Sequence, residues 1–145
     1  MNKHFNFILL KALSLLLILV FYTGCVSTRV SLPLPTNTDW ELISIEYDEL
    51  GSKTPSPEEK YSVTFKADGS LHGQVDCNRY MSSYTEEDGT IEIMMIASTM
   101  AACPPGSISQ DYLKAFQTIT GFFAGEDKLI LHFSGGSLEY APVQD

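Results

Sequence analysis

The chain has 145 residues, and its 18 Asp and Glu against 9 Lys and Arg give a formal net charge of −9. A surface this acidic repels nucleic-acid phosphates and anionic lipid headgroups, which excludes DNA and RNA as partners. The length allows one domain with a modest core, of a size that a covalent staple would help.

A leader comes first. Lys3 and His4 form a short basic start, and Phe5 to Tyr22 is an apolar run interrupted by Asn6, Lys11 and Ser14. The run ends in Tyr22-Thr23-Gly24-Cys25. A basic start, an apolar stretch and small residues before a cut are the layout of a secretory signal. The Thr-Gly-Cys ending resembles a bacterial lipobox, in which Cys25 is lipidated and becomes the first residue of the mature protein. Tyr22 departs from the aliphatic residue usual at that position. The chain then divides into a lipoprotein signal peptide over 1–24, a tether over 25–38 and a domain over 39–142. The alternative is an uncleaved anchor, since a spanning helix needs roughly 20 apolar residues. Both readings put the domain outside the cytoplasm. Val26, rather than Asp, follows the cysteine, and by resemblance to lipoproteins in general this implies an outer-membrane lipoprotein facing the periplasm. Acyl chains such as palmitate would hold it by burying methylenes at about 0.8 kcal/mol each. Losing Lys3 and Lys11 leaves seven basic against eighteen acidic side chains, a charge best read as a solvating surface.

Ser27, Thr28, Ser31, Pro33, Pro35 and Thr36 mark an extended tether. A first strand follows at Asp39 to Tyr47, with Trp40, Leu42 and Ile45 as core candidates and a phase slip near Ile43-Ser44 that suggests a bulge. Residues 48–59, with Gly51, Pro55 and Pro57, predict an exposed loop. Tyr61, Val63 and Phe65 alternate with polar residues as in a half-buried strand. Asp68-Gly69 is a hairpin signal, and the return strand to Val75 turns His72 toward solvent. Asp88-Gly89 is a second hairpin signal, leading into Ile91 to Ile96, which becomes apolar on both faces and so predicts cover on both sides. After Pro104-Pro105-Gly106, Ser107 and Gln110 match a capping box. Tyr112, Leu113, Phe116 and Ile119 then recur at helical spacing, predicting one helix over 108–120 that stops at Gly121. Leu129, Leu131 and Phe133, a Gly135-Gly136 turn, then Leu138 and Tyr140 predict two last strands. The fold class is mainly β (α+β): a small antiparallel, barrel-like sheet with one packed α-helix.

Trp40-x-Leu42, Asp68-Gly69-x-x-x-Gly73, Cys77-Asn78-x-Tyr80, Tyr84, Gly89 and Thr99-Met100-Ala101-Ala102-Cys103-Pro104 occur in one order. That order resembles the META/HslJ-like domain of bacterial envelope lipoproteins, over roughly Asp39 to Pro142. The resemblance implies a small β-rich, barrel-like fold with one helix, an envelope setting, in some members stress or drug tolerance, and no established enzyme activity. Asp76 stands where the family usually has Gly.

Cys77 and Cys103 are the two cysteines beyond the leader, and an oxidising compartment makes a disulfide the leading reading of the pair. A reduced buried pair or a redox or metal pair is the alternative, but the spacing is not C-x-x-C and no histidine adjoins either cysteine. No catalytic residues, cofactor or metal are expected: no nucleophile elbow is present and no carboxylate pair is singled out. Asn78 and Thr99 suit turn-satisfying roles; with Arg79 they also make the sharpest candidate binding patch. The expected function is that of a non-enzymatic, lipid-anchored envelope module for binding or stress tolerance. Its partners would be the membrane through Cys25 and an envelope protein or small ligand. The alternatives are a carrier of a small apolar ligand inside the barrel and an inhibitor of an envelope hydrolase acting through the 48–59 loop.

Overall fold

Alternation of apolar and polar residues builds the sheet. The computed structural model describes residues 32–144, so the signal peptide, Cys25 and the tether through Ser31 lie outside the described residues. The elements are β1 (Asp39–Tyr47), β2 (Gly51–Lys53), β3 (Tyr61–Phe65), β4 (Ser70–Val75), β5 (Asn78–Glu87), β6 (Thr90–Ile93), β7 (Ala97–Ser98), α1 (Ser109–Phe116), β8 (Ile119–Ala124), β9 (Leu129–Phe133) and β10 (Gly136–Pro142). Trp40 and Leu42 point inward from β1; the phase then slips, leaving Ile43 half exposed and burying Ser44 and Ile45. The slip is a register shift between Leu42 and Ser44 against β10, where a bulge was expected.

All pairings are antiparallel, in the order β10-β9-β8-β6-β5-β4-β3-β1. β10 returns to pair with β1 from Trp40↔Pro142 to Tyr47↔Gly136, closing an eight-stranded barrel. Closure removes the free strand edges that invite aggregation. β2 extends from β1 and β7 from β5. The seam is thinnest between β6 and β8, where Thr90↔Gly121 is the register pair.

The barrel interior is filled rather than hollow. Trp40, Tyr61, Phe65, Tyr112, Phe116 and Tyr140 are fully buried in it. Helix α1 contributes two of these rings, so it acts as a plug at the end of the barrel that carries Tyr61 and Tyr47. Phe116 stacks on Tyr112 at 5.5 Å and meets the Tyr80 ring edge-on at 5.3 Å. Three hydroxyls cross this core in one direction. The Tyr140 hydroxyl donates to Tyr112 at 3.1 Å, Tyr112 and Tyr80 are 2.8 Å apart, and Tyr80 donates to the Ser62 carbonyl at 2.9 Å. Tyr112→Phe removes the middle link and leaves the buried Tyr140 hydroxyl without its acceptor. We expect a loss of about 1–3 kcal/mol by urea titration, the cost of one unsatisfied buried group.

Burial also ties these phenols to pH. It is the main cause that holds the Tyr80, Tyr112 and Tyr140 hydroxyls above the usual tyrosine range, and it pushes Tyr61 up to about 12. A raised folded value means that the native state keeps its protons where the unfolded chain has lost them. The stabilisation is therefore complete below about pH 10 and is lost as pH rises toward 12. Urea midpoints measured from pH 8 to 11.5 should be flat at first and then fall.

Five expectations are corrected. The segment 48–59 is not all loop, because β2 pairs Lys53, Ser52 and Gly51 with Ile45, Glu46 and Tyr47. The helix is shorter than its spacing suggested. It ends at Phe116, and Ile119 opens β8, a strand in which Gly121 lies beside a register shift instead of stopping a helix. The Ser107/Gln110 capping box does not form: Ile108 is the N-cap without a side-chain cap, and Glu59 accepts from its N–H at 3.1 Å. The strand 91–96 breaks after Ile93, and Met94 and Met95 face solvent rather than lying under cover. The described end of the tether is also docked, with Leu34 buried and Asn37 N–H donating to the Phe65 carbonyl at 2.7 Å.

Candidate functional site

The tight turn between β4 and β5 sets the first cluster. Asp76 occupies it at φ 53°, a left-handed conformation that Asp tolerates without being glycine. Asp76 N–H donates to the Lys60 carbonyl at 2.6 Å, and Gln74 Nε2 donates to the Asp76 carbonyl at 2.8 Å. The next residue, Cys77, is disulfide-bonded to Cys103, with Cα atoms 5.4 Å apart and a sequence separation of 26.

Asn78 locks the segment that carries Cys103. Its Nδ2 donates to the Ala101 carbonyl at 3.0 Å and lies 3.3 and 3.4 Å from the Cys77 and Cys103 sulfurs. Its Oδ1 accepts from Ala101 N–H at 2.7 Å and from the Thr99 hydroxyl at 2.9 Å. The Thr99 oxygen in turn accepts from Arg79 N–H at 3.0 Å. All five residues singled out from the sequence therefore meet. Both ends of the Asn78 amide and the Thr99 hydroxyl are committed to holding chain to chain. The Arg79 side chain is exposed and forms no ion pair among the described residues. This arrangement is a clasp. Asp76 brings a carboxylate within 4.8 Å of both sulfurs. The sulfurs are joined to each other, so no thiolate is available there to ligate a metal. His72 and His132 are exposed on β4 and β9, which are not neighbours in the barrel, so they make no paired site.

A second feature was missed by the sequence reading. A groove of about 570 Å³ opens on the outside of the barrel between the β1–β2 hairpin, α1 and the β9–β10 turn. Its apolar lining comes from Tyr47, Leu50, Ala115 and Phe133, with Lys53, Asp111 and Lys114 among the charged groups. Tyr47 and Phe133 meet edge-on at 5.9 Å. Lys53 Nζ donates to Asp111 Oδ2 at 2.7 Å, bridging hairpin to helix. Burial first, and then the Asp111 charge, raise the Tyr47 hydroxyl above its ordinary value. Leu50 stands on the lip, 84% exposed. Three separate stretches of chain build this groove, so no local motif signals it. Phe133 reads in sequence as barrel filling, whereas it is half-buried against Tyr47 at the groove.

Comparison with known proteins agrees with this architecture. Among solved structures, a protein from Burkholderia xenovorans determined by NMR is similar at 23% identity and TM-score 0.64, covering 84% of this chain and 99% of that one. A DUF4847 family protein from Bacteroides vulgatus is similar at 16% identity and TM-score 0.53, covering 74% of this chain and 94% of that one. These likenesses show the fold alone. A search of curated proteins finds no match. The META domain model matches residues 33–145, nearly the whole of the described chain, and the protein belongs to the META domain family.

Proposed function

We propose that the protein is a non-enzymatic, lipid-anchored module of the cell envelope that binds another envelope protein on the outside of its barrel, in support of envelope integrity under stress. Cys25 would carry the acyl chains and hold the domain at the outer membrane, facing the periplasm. The observation that carries the binding reading is where the molecule keeps its space. A carrier needs an interior cavity of roughly 300 Å³ or more, and large aromatic side chains occupy the barrel interior. The apolar space lies outside, in the groove of about 570 Å³ beside the exposed Leu50. A partner side chain entering there would bury apolar surface against Tyr47 and Phe133, while Lys53, Asp111 and Lys114 select its polar neighbours. The hydrolase-inhibitor reading is a special case of this one. The ordered β1–β2 hairpin favours it, because its tip offers Leu50 to a cleft.

Site-specific photo-crosslinking in cells tests the proposal. A crosslinker at Leu50 and one at Lys114 should trap the same envelope protein. One at Glu126, in the β8–β9 turn at the other end of the barrel, should not. No adduct at the groove, or the same adducts from all three positions, would overturn it.

A further inference from the structure

Methionine is among the residue types most often buried. Here Met81, Met94, Met95 and Met100 are 64%, 38%, 93% and 95% exposed, and they are every methionine after Met1. Two of them share a face with a histidine. Met81 points outward from β5, between Tyr80 and the inward-leaning Ser82. Its register partner on β4 is the exposed His72. Directly opposed residues on one face have Cβ atoms about 4.5–5.5 Å apart. Met94 N–H donates to the Ser83 carbonyl at 2.9 Å, which sets Met94 beside Ser83, two residues along the same outward face from Met81. That makes Met94 a diagonal neighbour of Met81, about 7–8 Å away and within reach of long side chains.

We propose that His72, Met81 and Met94 form a surface site for a soft monovalent cation, Cu(I) or Ag(I). Thioether sulfur selects such ions, and imidazole completes the set, whereas hard cations prefer carboxylate and carbonyl oxygen. The Cys77 and Cys103 sulfurs do not compete, because they are bonded to each other. Met81 is the central donor, with the His72 ring nitrogen on one side and the Met94 sulfur on the other. Arg79, paired with Gln74 one outward step along the strands, opposes the cation. Glu92, one outward step from Met94 on β6, and the net charge of −9 favour it.

The test uses the full chain with its disulfide intact, in a Cys25→Ser background that leaves no free thiol, and Ag+ alone as the redox-stable probe. Methionine methyl groups labelled with 13C should show one saturable equivalent that shifts Met81 and Met94. Met81→Leu and His72→Ala should each weaken binding by at least about tenfold, the loss that even supporting residues of metal sites produce. Both positions are exposed, so circular dichroism and the urea midpoint should stay unchanged. Zn2+ at the same concentration should leave the methyl signals in place. Absent saturation, shifts confined to Met95 and Met100, or an affinity indifferent to Met81→Leu would overturn the assignment.

Discussion

Replacing both Cys77 and Cys103 with alanine should destabilise the domain by about 3.5 kcal/mol. The cross-link closes a loop of 26 residues, and the chain-entropy model gives about that much for such a loop. For a domain of this size each kcal/mol moves Tm by about 4–8 °C, so the shift should be unmistakable in a thermal scan. The Asn78 clasp softens the consequence without removing it. Its bonds to Ala101 and Thr99 do not need the sulfurs, so the segment from Thr99 to Cys103 should remain docked in the native state. The loss should therefore fall on overall stability rather than on the sheet. Reducing the wild type with a thiol should reproduce the alanine value. A double variant within about 0.5 kcal/mol of wild type would mean that the unfolded chain gains nothing from losing the cross-link.

Phe116→Ala should cost about 3–5 kcal/mol, the range for removing a buried aromatic side chain. Phe116 is fully buried and is the ring of α1 that packs against both Tyr80 and Tyr112. The surrounding wall is a closed sheet and cannot collapse far into the gap, which favours the upper half of the range. Leu113, one turn earlier and half-buried, should lose much less when truncated. Urea unfolding of the two variants side by side checks this. Equal losses would mean that the helix packs on the barrel as a unit and does not plug it through Phe116. The same variant would hollow out the interior that a carrier would need, so a gain of small apolar ligand binding in Phe116→Ala alone would fit the filled wild-type barrel.

Much of the barrel could be read from the chain. Period-two strands such as Tyr61-Val63-Phe65 and the Asp-Gly hairpins fix side-chain direction locally, so β3, β4 and the Asp88-Gly89 hairpin that joins β5 to β6 followed from pattern, as did the burial of Trp40 and Leu42. β8 did not, because Ile119 and Phe122 fit both the tail of a helix and the start of a strand. Pairing with β9, a contact distant from the helix's own residues, decides between them. β2 escaped because Gly51 and Ser52 carry no apolar pattern; it forms as the continuation of β1's hairpin. The cysteine pair was legible from compartment chemistry. The role of Asn78 was legible only as a preference, since which carbonyl and which hydroxyl it holds depends on how the chain returns at Ala101. The groove was the least legible feature. Tyr47, Leu50, Asp111 and Phe133 become neighbours only when the barrel closes and the helix docks.

Mass spectrometry of the full-length gene product, purified from membrane fractions without reductant, tests the envelope reading most directly. The expected spectrum shows a diacyl or triacyl mass on the peptide beginning at Cys25, together with a linked Cys77–Cys103 peptide. An intact leader, or free thiols at both positions, would contradict the lipid anchor and the oxidising compartment on which the proposed function rests.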